Sequence, residues 1–185
     1  MESVGFKEWA LVCEALGRGD QTIILRKGGI AEGRDGFSFR HREFFLFPTF
    51  FHEQVAKMRG GSSIIPPQRE GEIEIKFFAR LERSMVITEW ERAAALEPFH
   101  LLHADVVRER FDYDEAPGIH VAFLRVFRLA EPWVFADAPK YGGCRSWVHL
   151  PPVLREVEME PVLSDAEHAT RAAMLQHVIS AEAKL

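Results

Sequence analysis

Residues 72–84, EIEIKFFARLERS, restrict the fold more than any other stretch. Ile73, Ile75, Phe77, Ala79 and Leu81 alternate with Glu72, Glu74, Lys76, Arg80 and Glu82, a two-residue period that only a strand satisfies. One face of that strand is apolar and the other charged. A second segment, GIHVAFLRVFRL at 118–129, is apolar at nearly every position, which marks a strand covered on both faces. The chain therefore contains a sheet with a central strand and at least one layer packed on it.

Helical patterns surround these strands. Phe6, Trp9, Ala10, Cys13 and Leu16 recur at helical spacing before Gly17, Gly19 and Asp20, so Val4 to Leu16 is predicted as an amphipathic helix. QTIILRK, 21–27, reads as a strand ended by Gly28 and Gly29. In GRDGFSFRHREFFLFP, Phe37, Phe39 and His41 alternate before the run turns fully apolar, again a strand. Thr88 with Glu91 and Ser164 with Glu167 carry capping-box spacing, which predicts helix starts at both places. Pro98 restarts a helical pattern through Leu102, Val106 and Arg110. Residues 58–71, MRGGSSIIPPQREG, form the one clear loop. The expectation is a single α+β domain over 1–185, with a mixed or antiparallel sheet and interleaved and flanking helices.

Composition narrows the class. At 185 residues the chain can bury roughly 70% of its unfolded surface without a metal or disulfide staple. No apolar run reaches the roughly 18 residues of a membrane span and MESVGFKEW is no secretory signal, so a cytoplasmic protein with no membrane partner is expected. Cys13 and Cys144 are two free thiols in that setting. The net charge of −5 opposes a chain that coats nucleic acid over its whole surface. Its halves differ: residues 1–80 hold 12 basic and 11 acidic residues, leaving 11 and 17 for the remainder, so any basic surface belongs to the first part.

The aromatic stretch FRHREFFLFPTFFHEQ, 39–54, poses the question of site or core. His52-Glu53 begins a zinc-helix pattern, but Ala56 stands where the second histidine belongs, so no metal is assigned. Phe44, Phe45, Phe47, Phe50 and Phe51 are read as core, with Arg40, His41, Arg42 and Glu43 at its polar edge. Arg26 and Lys27 precede paired glycines, where backbone amides and cations can receive a phosphate. YGGCRSW, 141–147, gathers Tyr141, Arg145 and Trp147 around another glycine pair, the residue types that stack on bases. Glu74 and Lys76 lie two apart on a strand, and with Asp35 they match the acid and lysine set of a magnesium-dependent nuclease. No Walker loop, nucleophile elbow or dinucleotide fingerprint occurs.

Together FKEWALVCEAL, IILRKGGI, HREFFLFPTFFHEQ, LRVFRL and YGGCRSW resemble a bacterial family known as a domain of unknown function, number 1802, from about Phe6 to about Thr170. HREFFLFPT and YGGCRSW are the specific segments, whereas LLHADVVRERF stands where the family is expected to carry a tryptophan. The resemblance assigns no activity. It implies an association with restriction or defence systems, through relatives linked to a Mrr-like nuclease domain. The leading expectation is a non-catalytic module that binds nucleic acid or a nucleotide-like ligand through Arg26, Lys27, Arg40, His41, Arg42, Tyr141, Arg145 and Trp147, with no cofactor. The alternatives are the nuclease of Asp35, Glu74 and Lys76, with Mg2+ its only cofactor, and a protein-interaction scaffold.

Overall fold

In the computed structural model, residues 3–27, 37–60, 65–153 and 157–180 are described. The chain runs β1 (Val4–Trp9), α1 (Ala10–Arg18), β2 (Ile23–Arg26), β3 (Glu43–Thr49), β4 (Glu72–Ile87), α2 (Trp90–Ala94), α3 (Ala104–Phe111), β5 (Ile119–Ala136), β6 (Trp147–His149), β7 (Met159–Pro161) and α4 (Asp165–Ser180). The strands form one mixed sheet in the order β2-β5-β4-β3-β1-β6, with β7 also on β5. This is the expected α+β class. The β1–β3 pair is parallel and every other pair antiparallel.

The two strands that were plainest in the sequence form its spine. β4 and β5 pair from Glu72 against Ala136 to Ile87 against Ile119, with register shifts at Ile75/Phe77 and Leu81/Arg83. The first shift breaks the alternation of β4: Ile73 and Ile75 join one apolar cluster with Phe78, while Phe77 and Ala79 join the other. A two-residue period holds only while the ladder is regular, and a bulge sends the next side chain to the opposite face. The larger cluster, built from residues such as Phe6, Leu16, Ile24, Phe44 and Phe99, receives the helices. The smaller one holds Phe45, Phe47, Tyr141, Val148 and Leu150 on the other face. The aromatic stretch is thus core on both sides at Phe44, Phe45 and Phe47, while Phe50 and Phe51 are half-buried.

Three expectations are corrected. Val4 to Trp9 is a strand, and the helix begins only at Ala10, because residues 4–8 are buried on both faces between two neighbouring strands. Residues 37–42 are outside β3. Thr88 does not cap α2, whose N-cap is Glu89 without a side-chain bond. The second capping box does form: Ser164 Oγ accepts from Glu167 N–H at 3.3 Å, and Glu167 Oε2 accepts from Ser164 N–H at 2.9 Å. No helix among the described residues is long and apolar enough to cross a membrane.

One long-range tie joins residue 59 to the 97–102 segment. The Arg59 guanidinium donates to the carbonyls of Glu97, His100 and Leu102 at 2.7–3.1 Å and to the Glu97 carboxylate at 2.7 Å. His100, 3% exposed, accepts Leu102 N–H on Nδ1 at 3.1 Å. Burial first, then Arg59 and Arg110, push its imidazole down to about 4.

Two stability tests follow. Gly17 lies in α1 against the Phe77 ring, and a Cβ there would stand 2.1–2.6 Å from three ring atoms. Gly17→Ala, which on an exposed helix gains up to about 1 kcal/mol, here costs about 1–3 kcal/mol in urea unfolding through overpacking. His100 stays neutral in the fold while the unfolded chain takes up a proton below about pH 6.5. The folded chain therefore loses about 3 kcal/mol between pH 6.5 and 4 on this account, a loss that His100→Asn, which keeps an acceptor, removes from the pH profile.

Candidate functional site

β1 is the strand that positions the site. It pairs with β3 from Gly5↔Phe45 to Trp9↔Thr49 and with β6 from Val4↔His149 to Phe6↔Trp147. With partners on both edges and apolar clusters on both faces, alternation sends Phe6 and Glu8 to one side and Lys7 to the other. Lys7 is 8% exposed and Glu8 1%. Lysine and glutamate are rarely buried to this extent unless paired, and neither forms an ion pair among the described residues.

Lys7 underpins the glycine turn at 141–147. Its Nζ donates to the carbonyls of Tyr141 at 2.5 Å and Gly143 at 2.8 Å, and its backbone N–H donates to Ser146 O at 2.8 Å. Gly143 sits at φ 77°, the left-handed region where a side chain is strained. Burial is the main cause that holds the Lys7 ammonium below its usual range. Arg26 and Arg145 push the same way, against Cys144 and Asp137.

Arg26 reaches this turn from the far end of the sheet order. Its Nη2 donates to Ser146 Oγ at 3.2 Å and its guanidinium lies 5.7 Å over the Phe6 ring. This contact brings β2 and β6, the two ends of the order, together, so the sheet curls toward closure. Trp147, half-buried, meets Phe6 at 4.8 Å, His41 at 4.8 Å and Phe44 at 5.2 Å. Its indole N–H donates to Ser38 O at 3.3 Å.

Glu8 lies on the Phe6 side. Oε1 accepts Trp9 N–H at 2.8 Å, and Oε2 has no hydrogen-bond partner among the described residues. Arg110 stacks over Trp9 at 4.5 Å and donates to Leu25 O at 2.6 Å. Burial is the main cause that pulls the Arg110 guanidinium below its usual range; Arg26 adds to it, and Glu8 and Glu109 oppose it.

The structure sorts the predicted residues. Arg26, His41 and Trp147 come together, and Arg145 is an exposed neighbour of Lys7. Arg40 is exposed and engaged. Arg42 lines a shallow hollow with Glu43, Arg80 and Leu81. Tyr141, 4% exposed, packs its ring on Phe47 and Phe135 in the smaller cluster, so it joins the turn through its carbonyl and offers no stacking face. Lys27, 10% exposed at its side chain, is taken up by Asp114 at 3.0 Å and by the carbonyls of Phe111 and Ala116.

The nuclease candidates lie elsewhere. Glu74 and Lys76 do share a face, with Lys76 Nζ 3.7 Å from Glu74 and 3.0 Å from Glu14 of α1, in a cleft that also takes in Cys13 and Arg69. Arg69 in turn lies 3.4 Å from Glu74. Asp35 lies outside the described residues. Among the described residues no group of three His, Cys, Asp or Glu is placed to hold a metal ion.

From the sequence alone Lys7, Glu8 and Ser146 were not candidates, and Arg110 entered only as a position of a helical pattern. The signal that could have found two of them is a lysine and a glutamate side by side inside the apolar run VGFKEWALVC, a conflict hidden by assigning the run to an amphipathic helix.

No curated protein gave a significant match to the sequence. Among solved structures, ASCH from Zymomonas mobilis aligns with a TM-score of 0.48 at 11% identity, over 92% of this chain and 93% of that chain. A mutant form of the same protein aligns with a TM-score of 0.47 at 13% identity, over 95% and 99%. At the level of sequence family the match runs over residues 5–174, nearly the whole chain, and the protein belongs to the family described as Domain of unknown function (DUF1802).

Proposed function

We propose that the chain is a non-catalytic recognition module for nucleic acid or a nucleotide-like ligand, and that the ligand lies at the meeting of β1, the end of β2 and the 141–147 turn. One observation carries this reading: Lys7, Arg26 and Arg145 converge there, and among the described residues none of them forms an ion pair with a carboxylate. Among the described residues Arg26 has only a hydroxyl and a ring for side-chain partners, and the Lys7 ammonium only carbonyls. Such cations keep most of their charge available, whereas a cation held by an acid, as Lys27 is by Asp114, gives up much of its attraction for phosphate. Trp147 and His41 supply ring surface beside them, the combination of cation and aromatic plane that holds exposed bases.

In this role the module recognises and a partner supplies any cleavage, in keeping with a place beside a restriction nuclease. The internal balance of Glu14, Glu74, Arg69 and Lys76 supports a structural rather than a hydrolytic part for that cleft.

Binding to a labelled single-stranded oligonucleotide, followed by fluorescence anisotropy from 50 to 200 mM salt, weakens steeply on this reading because each phosphate contact releases counterion. Arg26→Ala lowers affinity roughly tenfold, about 1.4 kcal/mol, and reduces the log–log salt slope by about 0.7 to 1. Lys27→Ala leaves the slope unchanged. A flat salt profile, or no binding at micromolar protein to single- or double-stranded DNA or RNA, overturns the assignment.

A further inference from the structure

The turn at 141–147 has a second side. Alternation in β1 turns Lys7 away from Phe6, and there it lines an open hollow of about 670 Å³ on the face of the smaller cluster, with Phe47, Phe50, Ile73, Asp137 and Tyr141 among the walls. That volume lies within the roughly 300–1,000 Å³ of small-ligand pockets, which are mostly apolar with a few placed polar groups. Two of the polar groups here carry opposite charge. An ammonium has three N–H groups, and the carbonyls of Tyr141 and Gly143 take two from Lys7, so one remains for an occupant. Asp137 is exposed; its Oδ1 accepts Ala138 N–H at 2.8 Å, and its own N–H donates to Gly71 O at 2.9 Å.

Burial dominates the lowering of the Lys7 ammonium, and Asp137 is near enough to act against it, yet among the described residues the two charges do not close into an ion pair. Main-chain partners hold each one back. What remains between them is a donor beside an acceptor over apolar walls, and Phe50, half-buried, has no ring partner among the described residues. A phosphate or a carboxylate, with acceptors only, is repelled by Asp137. The matching ligand is flat and presents an acceptor next to donors along one edge. Among the common bases guanine alone sets a carbonyl, O6, beside two donors, N1–H and the 2-amino group, so the lysine takes the first and the carboxylate the other two. Adenine and cytosine offer one amino group, and the N–H of uracil is flanked by two carbonyls.

Resting on the recognition reading above, we propose that this hollow is its base-reading pocket: a guanine of a single strand seats against Phe50, its O6 accepts from Lys7 Nζ, and its N1–H and 2-amino group donate to the Asp137 carboxylate. Lysine to guanine O6 is a common contact in base readout, and bases splayed out of a single strand expose the edge that it needs. Arg26, on the Phe6 side of β1, is left to the phosphates.

The test uses five ribohexamers, uridine throughout except for guanosine, inosine, adenosine, cytidine or uridine at the third position, so that phosphate charge is identical and only one base edge changes. By fluorescence anisotropy the wild-type chain binds the guanosine hexamer at least tenfold more tightly than the adenosine, cytidine and uridine ones, and the inosine hexamer, which lacks only the 2-amino group, falls between. Asp137→Asn, which keeps an acceptor for Ala138 N–H, brings the guanosine hexamer within about threefold of the others. Because the wild-type comparison needs no substitution, a variant that fails to fold does not blunt the test. Equal wild-type affinities across the five hexamers overturn the role of the hollow and leave the recognition reading standing, as does a full guanosine preference retained in Asp137→Asn. If none of the hexamers binds, the recognition reading falls and this inference with it.

Discussion

The placement of β1 between β3 and β6 is the constraint on which the candidate site depends. A strand with hydrogen-bonded neighbours on both sides and apolar clusters on both faces has no solvent side to which a charged residue can turn. VGFKEW nevertheless carries two charges in succession, and the two-residue period drives them into opposite interiors. Each is met differently. Lys7 is met by carbonyls, which accept from it without cancelling its charge, and Glu8 by one amide, with the Arg110 guanidinium near enough to feel its charge. Replacing either by a leucine of similar size would be the simpler solution for a core strand, since burying a charge without a paired partner costs more than burying an apolar group.

The turn that follows from this arrangement is equally specific. The 141–147 segment is held from beneath by Lys7, from the side by Arg26 through Ser146, and at its end by the Trp147 ring against Phe6 and Phe44. Arg145 is left outward by that anchoring. The contrast with Lys27 is instructive, because two adjacent basic residues leave the same strand with opposite fates. One reaches across to the other end of the sheet, and the other is spent on closing the Phe111–Ala116 segment against the fold.

Much of the architecture was legible because it rests on local periodicity. β4 and β5 declared themselves by alternation and by continuous apolarity, and the Ser164–Glu167 box fixed the start of α4. What failed depended on distant partners. Phe6, Trp9, Cys13 and Leu16 match a helical stripe as well as they match a strand running into a helix, and only β3 and β6, more than thirty residues away, decide between them. The bulge that splits Ile75 from Phe77 is likewise invisible in β4 alone, since the strand that imposes it is β5. For the site, the sequence located Arg26, His41, Trp147 and Arg145 by residue type. It left open which side of the fold Tyr141 faces and overlooked Lys7 and Glu8, because which side a residue faces is settled by the sheet and not by its neighbours in the chain.

The tie made by Arg59 has its own corollary. Its planar fork offers five N–H groups at fixed angles, and here they serve three main-chain oxygens and one carboxylate at once. An ammonium at the same place keeps the positive charge but is a single point, unable to span acceptors spread over Glu97 to Leu102. The demand at this position is therefore for shape rather than for sign, and lysine, ordinarily the mildest exchange for arginine, is a poor one there.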